Sequence, residues 1–167
     1  MAKEIAYVLE KGVWTEADYS VMGWHDSWIH ALAVLNNEDE PWKNELLFDL
    51  DYIFQWVDPA PPSSYYTFWT SPCTLSFYNF YDLVFRADIG TESFEVANLN
   101  LVEKITNPHN GLVYFNWEIK LQGGLISLKS EGFDQIVRKN PVHTSLQKLN
   151  DVERGGISFD KTACQLN

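Results

Sequence analysis

The chain has 167 residues, 46% of them hydrophobic and 15% aromatic, enough for one buried core and too apolar for intrinsic disorder. The net charge of −11 repels phosphate backbones, so nucleic acid is not expected as a partner. No run approaches the roughly 18 apolar residues of a membrane span, and the opening residues carry charges where a secretory leader would be apolar.

Charge is uneven along the chain. Residues 1–100 hold 4 Lys/Arg against 16 Asp/Glu, a balance of −12, and residues 101–167 hold 8 against 7, a balance of +1. The two cysteines, Cys73 and Cys164, match no metal or redox spacing. A soluble, cytoplasmic protein with free thiols and no cofactor is therefore expected.

Thr15 precedes Glu16 and Asp18 as a candidate N-cap of a short helix. Ser27–Leu35 reads as a strand of weak alternation with both faces largely buried. A polar connector, Asn36–Pro41, leads into Glu45–Trp56, the clearest strand of the chain. Leu46, Phe48, Leu50, Tyr52, Phe54 and Trp56 take alternate positions there, and Glu45, Asp49, Asp51 and Gln55 fall between them. Side chains of a strand alternate between faces, so one face is apolar and the other mostly acidic. The short connector makes the two strands a hairpin.

Asp58–Ser64 is broken by three prolines and reads as an extended loop. Tyr65–Thr70 resumes as a strand that Ser71-Pro72 ends. Thr74–Tyr78, Asp82–Ile89 and Ser93–Ile105 follow, and Asn107–Gly111 is a dense turn signal. Val113–Leu121 alternates up to Gly123-Gly124, and a two-residue Gly-Gly turn predicts Leu121 opposite Ile126, Ile119 opposite Leu128 and Glu118 opposite Lys129. From Pro141 the chain is polar, with a short helix predicted over Thr144–Leu149 and loose order in the last dozen residues.

The whole reads as one domain over 1–167, with a strand-rich core about 21–139 and a polar segment 140–167. The expected fold is mainly β: antiparallel sheets packed as a sandwich or a curved half-barrel, with at most one or two short helices.

Two constellations carry titratable groups. His25, Asp26 and His30 gather in Trp24–His30, but an interval of five places the histidines on opposite strand faces. The pattern favours a His25-Asp26 turn and a hydrogen-bonded His30 over a metal or catalytic role. Asp49 and Asp51 share one face and could grip a divalent cation with His30 as a third ligand. A solvated acidic face, or Asp side chains bonded to nearby backbone, is the commoner outcome. The aromatics Trp56, Tyr66 and Trp69, with Tyr65 and Phe68, form a contact patch if exposed. No nucleophile elbow, phosphate loop or zinc-protease motif occurs.

The series Trp24-His25-Asp26…His30, Glu45–Ile53, Trp56, Phe68-Trp-Thr-Ser-Pro72 and Thr74-Leu-Ser-Phe77 resembles a family of small uncharacterised bacterial proteins. In that family a WHD-x-x-I-type strand precedes an LLLDIDYI-type strand and an SP-x-TL-type segment. The likeness spans roughly residues 23–102 and implies a bacterial, single-domain protein with no stated activity.

The leading expectation is a non-enzymatic acidic protein-binding module, immunity- or antitoxin-like, contacting a basic partner through Glu38, Asp39, Glu40, Asp49 and Asp51, with Trp56, Tyr66 and Trp69 assisting. A hydrolase or cation-binding domain using His25, Asp26, His30, Asp49 and Asp51 is the alternative, and an apolar small-ligand binder a third.

Overall fold

The computed structural model describes residues 6–88, 90 and 93–167. Among these described residues ten strands occur in chain order: β1 (Val13–Thr15), β2 (Trp28–Leu35), β3 (Glu45–Val57), β4 (Thr67–Tyr78), β5 (Tyr81–Ala87), β6 (Val96–Thr106), β7 (Val113–Leu121), β8 (Gly124–Ser130), β9 (Gly132–Val137) and β10 (Val142–Thr144). A 3-10 helix spans Glu16–Val21 and a single-turn helix, α1, spans Asp151–Arg154. Among the described residues no helix is long and apolar enough to cross a membrane.

Every strand pair is antiparallel. One sheet has the order β1-β9-β4-β3-β2, with β10 also on β4, and the second has the order β5-β8-β7-β6. The expected mainly β fold, antiparallel sheets packed as a sandwich or half-barrel with at most two short helices, is what the chain forms.

The alternation in β3 builds the interior. Phe48, Leu50 and Tyr52 join Cys73, Leu75, Phe77 and Phe133 of the first sheet and Trp117, Ile119 and Leu128 of the second in one buried cluster. Trp117 bridges the layers, with ring centroids 5.9 Å from Phe77 and 5.3 Å from Phe133. The Thr15 cap is present as a full capping box with Asp18. Its helix delivers Tyr19 to the same cluster, stacked on Trp24.

Three expectations need correction. First, Ser71-Pro72 does not end a strand, because β4 runs unbroken through it. Pro72 has no N–H to donate, and it sits where β4 changes neighbour: β10 pairs Phe68–Thr70 and β9 pairs from Cys73 onward. The missing donor falls in that gap.

Second, the β7–β8 hairpin is shifted by two residues. Leu121 pairs with Gly124, Ile119 with Ile126 and Trp117 with Leu128, so Gln122-Gly123 forms the turn. A Cβ on Gly124 would lie 1.9 Å from the Arg86 carbonyl oxygen of β5. This glycine is therefore a strand residue chosen for close approach. A shift by two keeps every side chain on its predicted face, but Lys129 now pairs with Asp82 at 2.8 Å, and Glu118 with Lys120.

Third, the last dozen residues, expected to be loose, are bonded to the first sheet: Ser158 N–H donates to Asp49, Thr74 Oγ1 to the Asp160 carbonyl and Cys164 N–H to the Val137 carbonyl. After β10, residues 145–160 run as a strap over the outer face of the first sheet, burying Leu149 and Arg154. The helix expected at Thr144–Leu149 lies later, at Asp151–Arg154. Ile89, where one strand was expected to end, lies outside the described residues.

Candidate functional site

The outer face of β3 carries Leu47, Asp49, Asp51 and Ile53, all buried. Asp49 and Asp51 are 0% exposed, so the acidic face is sealed and not solvated, and of the two outcomes expected only bonding to backbone occurs, at Leu149 and Ser158. The cause lies in two distant arginines. Arg154, set by α1, donates from Nη2 to Asp49 Oδ1 at 2.6 Å, from Nη1 to Asp49 Oδ2 at 3.0 Å and from Nε to Asp51 Oδ1 at 3.4 Å. Arg138, just past β9, donates to Asp49 Oδ1 at 2.7 Å and to Thr74 Oγ1 at 2.9 Å.

Backbone groups of the strap complete the set. Ser158 N–H donates to Asp49 Oδ2 at 3.0 Å and Leu149 N–H to Asp51 Oδ2 at 2.9 Å. Thr74 Oγ1 donates to the Asp160 carbonyl at 2.7 Å. A buried carboxylate is tolerable only when paired and fully hydrogen-bonded, and all four oxygens of this pair have partners.

The irregularity in the β2–β3 pairing between Ile29 and Ala31 places His30 against the same acids. Its Nε2 lies 2.7 Å from Asp51 Oδ2. A carboxylate oxygen accepts, so that ring nitrogen carries the hydrogen. His30, Asp49 and Asp51 thus do converge, but around guanidinium groups. Among the described residues no group of three His, Cys, Asp or Glu side chains is placed to hold a metal.

Electrostatics follow from this packing. Burial raises the pKa of Asp49, yet the bonds from Arg154 and Arg138 and from the Ser158 N–H outweigh it and hold the carboxyl below its ordinary value. Burial depresses Arg154, and the two aspartates more than restore it. The Cys73 thiol, wholly buried, is pushed far up by desolvation and is a core residue without nucleophilic character.

His25 and Asp26 form the expected turn. Asp26 has φ 62° and accepts from Gln147 Nε2 at 2.7 Å, and His25 Nδ1 lies 3.1 Å from the Ala97 carbonyl.

Trp56, expected on the apolar inner face of β3, is carried to the outer face by the irregularity in the β3–β4 pairing between Ile53 and Gln55. It is 40% exposed, with His25 stacked on it and Tyr66 and Phe68 edge-on. Trp56, Tyr66 and Phe68 line an open groove of about 560 Å³ with Tyr65 and Leu146. Trp69 does not join them. It lies on the other face of β4, half-buried against Tyr7 and His143.

At the opposite end of β3, Glu38 and Asp39 remain exposed. Asn37 Oδ1 accepts from the N–H groups of Asp39 and Glu40 and fixes the loop. Glu40 pairs with Lys43 at 2.8 Å. Trp42, in the same loop, is 66% exposed. It borders a pocket of about 430 Å³ with Tyr81, Tyr114 and Glu131.

Sequence reasoning missed Arg138, Arg154 and Trp42. The first two had a visible signal: an acidic first hundred residues and a more basic remainder predict long-range ion pairs between them. Trp42 had none, since a lone tryptophan in a polar connector does not announce its exposure.

Comparison of the chain with family models, curated proteins and solved structures finds no match.

Proposed function

We propose that the protein is a non-enzymatic binding module that engages a basic protein partner through its acidic loop, Glu38, Asp39 and Glu40, with Trp42 beside it. The observation that carries this reading is the division of the acids into two sets. Asp49 and Asp51 are consumed inside the molecule, whereas Glu38 and Asp39 stay in solvent on a loop stiffened by Asn37 and next to a large exposed ring. Acidic groups steer basic partners and fix register, and an exposed tryptophan supplies contact area. An immunity- or antitoxin-like role is the class of function this fits.

Hydrolysis or cation binding at His30, Asp49 and Asp51 draws less support. General acid–base work needs a carboxylate within reach of substrate, and these oxygens already accept from arginine and backbone donors. The Trp56 groove supports a secondary reading, a contact for a planar or apolar group, since three of its rings are open on one side.

Titration calorimetry with a capped oligo-arginine peptide, at low and high salt, tests the main reading. The reversal Glu38→Lys with Asp39→Lys is expected to weaken binding about tenfold and to flatten the salt dependence. An equal loss from Glu103→Lys, remote on β6, would reduce the effect to net charge and refute the assignment.

A further inference from the structure

The pocket beside that loop has a composition suited to one kind of side chain. Trp42, Tyr81 and Tyr114 supply aromatic walls, with Tyr81 and Tyr114 at 5.8 Å between centroids. Glu131 is the only charged residue among those lining it, and its Oε2 accepts from Asn79 Nδ2 at 2.7 Å. Asn44, which also lines the pocket, holds its Oδ1 buried with no hydrogen-bond partner. A buried carbonyl without a donor is costly and rare.

Aromatic faces attract cations, and Tyr81 already does so on this protein: Lys129 Nζ lies 5.7 Å from its ring centroid while paired with Asp82. The pocket thus offers π-faces and one carboxylate, with no Lys or Arg among the residues that line it, and Trp42 at its edge shares a loop with the exposed acids Glu38 and Asp39. An ammonium can satisfy the charge. A guanidinium can also lie flat on a ring while its in-plane N–H groups reach separate acceptors.

We infer that this pocket, lined by Trp42, Tyr81, Tyr114, Asn44 and Glu131, receives an arginine side chain of the partner protein. The inference rests on the docking reading above and names the residue that anchors it. The arginine stacks on the aromatic wall and donates to Glu131.

The test is an NMR titration of the isotope-labelled protein with Nα-acetyl-arginine methylamide, with the citrulline and lysine analogues as controls. Saturable shifts are expected at the Trp42 indole N–H and the Asn44 side-chain amide, with a dissociation constant at least about tenfold lower than for neutral citrulline. Trp42→Ala, an exposed change, is expected to abolish saturation, and Glu131→Gln to raise the constant about tenfold. Equal binding of citrulline or lysine, or undiminished binding by Trp42→Ala, would overturn the assignment. If that happens while oligo-arginine binding still responds to the Glu38 and Asp39 reversal, only the pocket is lost. If both responses vanish, the docking reading falls with it.

Discussion

Over Leu46–Ile53 the two faces of β3 are both sealed from water, by opposite chemistry. On the inner face Phe48 and Leu50 meet the second sheet through rings and aliphatic side chains alone. On the outer face Asp49 and Asp51 meet the strap through two guanidiniums, one imidazole and two backbone N–H groups. An apolar seal tolerates repacking when volume is kept. An ionic seal holds only while every charge keeps its partner. The inner face therefore makes the domain, and the outer face fixes where the C-terminal strap lies on it.

Removing one partner from either seal gives the largest effects. Trp117→Ala is expected to cost about 3–5 kcal/mol through the cavity it leaves. Arg154→Met is expected to cost about 3–5 kcal/mol by stranding buried carboxylates. Urea unfolding measures both. The quadruple change Asp49→Leu, Asp51→Leu, Arg138→Met, Arg154→Met separates the two kinds of seal, because removing both carboxylates with both guanidiniums is expected to recover most of the Arg154→Met loss. A quadruple variant no more stable than Arg154→Met would show that the charges have no apolar substitute here.

Acid probes the outer seal alone. The pKa of folded Asp49 lies below its ordinary value of 3.8. Its contribution is therefore complete above that value and is lost as pH falls through the lowered one. Stability of the wild type is expected to drop more steeply than that of Asp49→Asn in this window below about pH 4. Parallel curves for the two proteins would contradict the direction of the shift. Asp134 runs the other way, since burial raises its pKa, so the comparison must be made between variants rather than read from one acid limb.

Smaller effects mark the edge of the seal. His30→Ala removes one bond to Asp51 and is expected to cost about 1–3 kcal/mol, again by urea unfolding. Glu38→Lys, on the exposed loop, is expected to stay within about 0.5 kcal/mol of wild type. A loss from Glu38→Lys comparable with that from His30→Ala would erase the distinction between acids that hold the fold and acids that face a partner.

The legible part of this fold is what neighbours in sequence determine. The alternation of β3, the Thr15 capping box and the faces of the β7–β8 hairpin depend on residues within one element or one turn. The hairpin register was less legible, because Gly124 answers to Arg86 of β5 and not to the turn itself. Pro72 misleads for a similar reason: whether a proline breaks a strand depends on which neighbour would have received its missing N–H.

The candidate site was half legible. That Asp49 and Asp51 share a face follows from the strand period. That the face is buried depends on Arg138 and Arg154, 89 and 105 residues away from Asp49, and no local pattern ties them together.

Native-state hydrogen exchange of the Leu149 and Ser158 amides, the two backbone donors to the buried acids, tests the ionic seal most directly. In Arg154→Met both amides are expected to lose about two to three orders of magnitude of protection relative to wild type, while amides of the inter-sheet core keep theirs relative to global unfolding. Unchanged protection at Leu149 and Ser158 would mean that the strap is held by something other than the carboxylates beneath it.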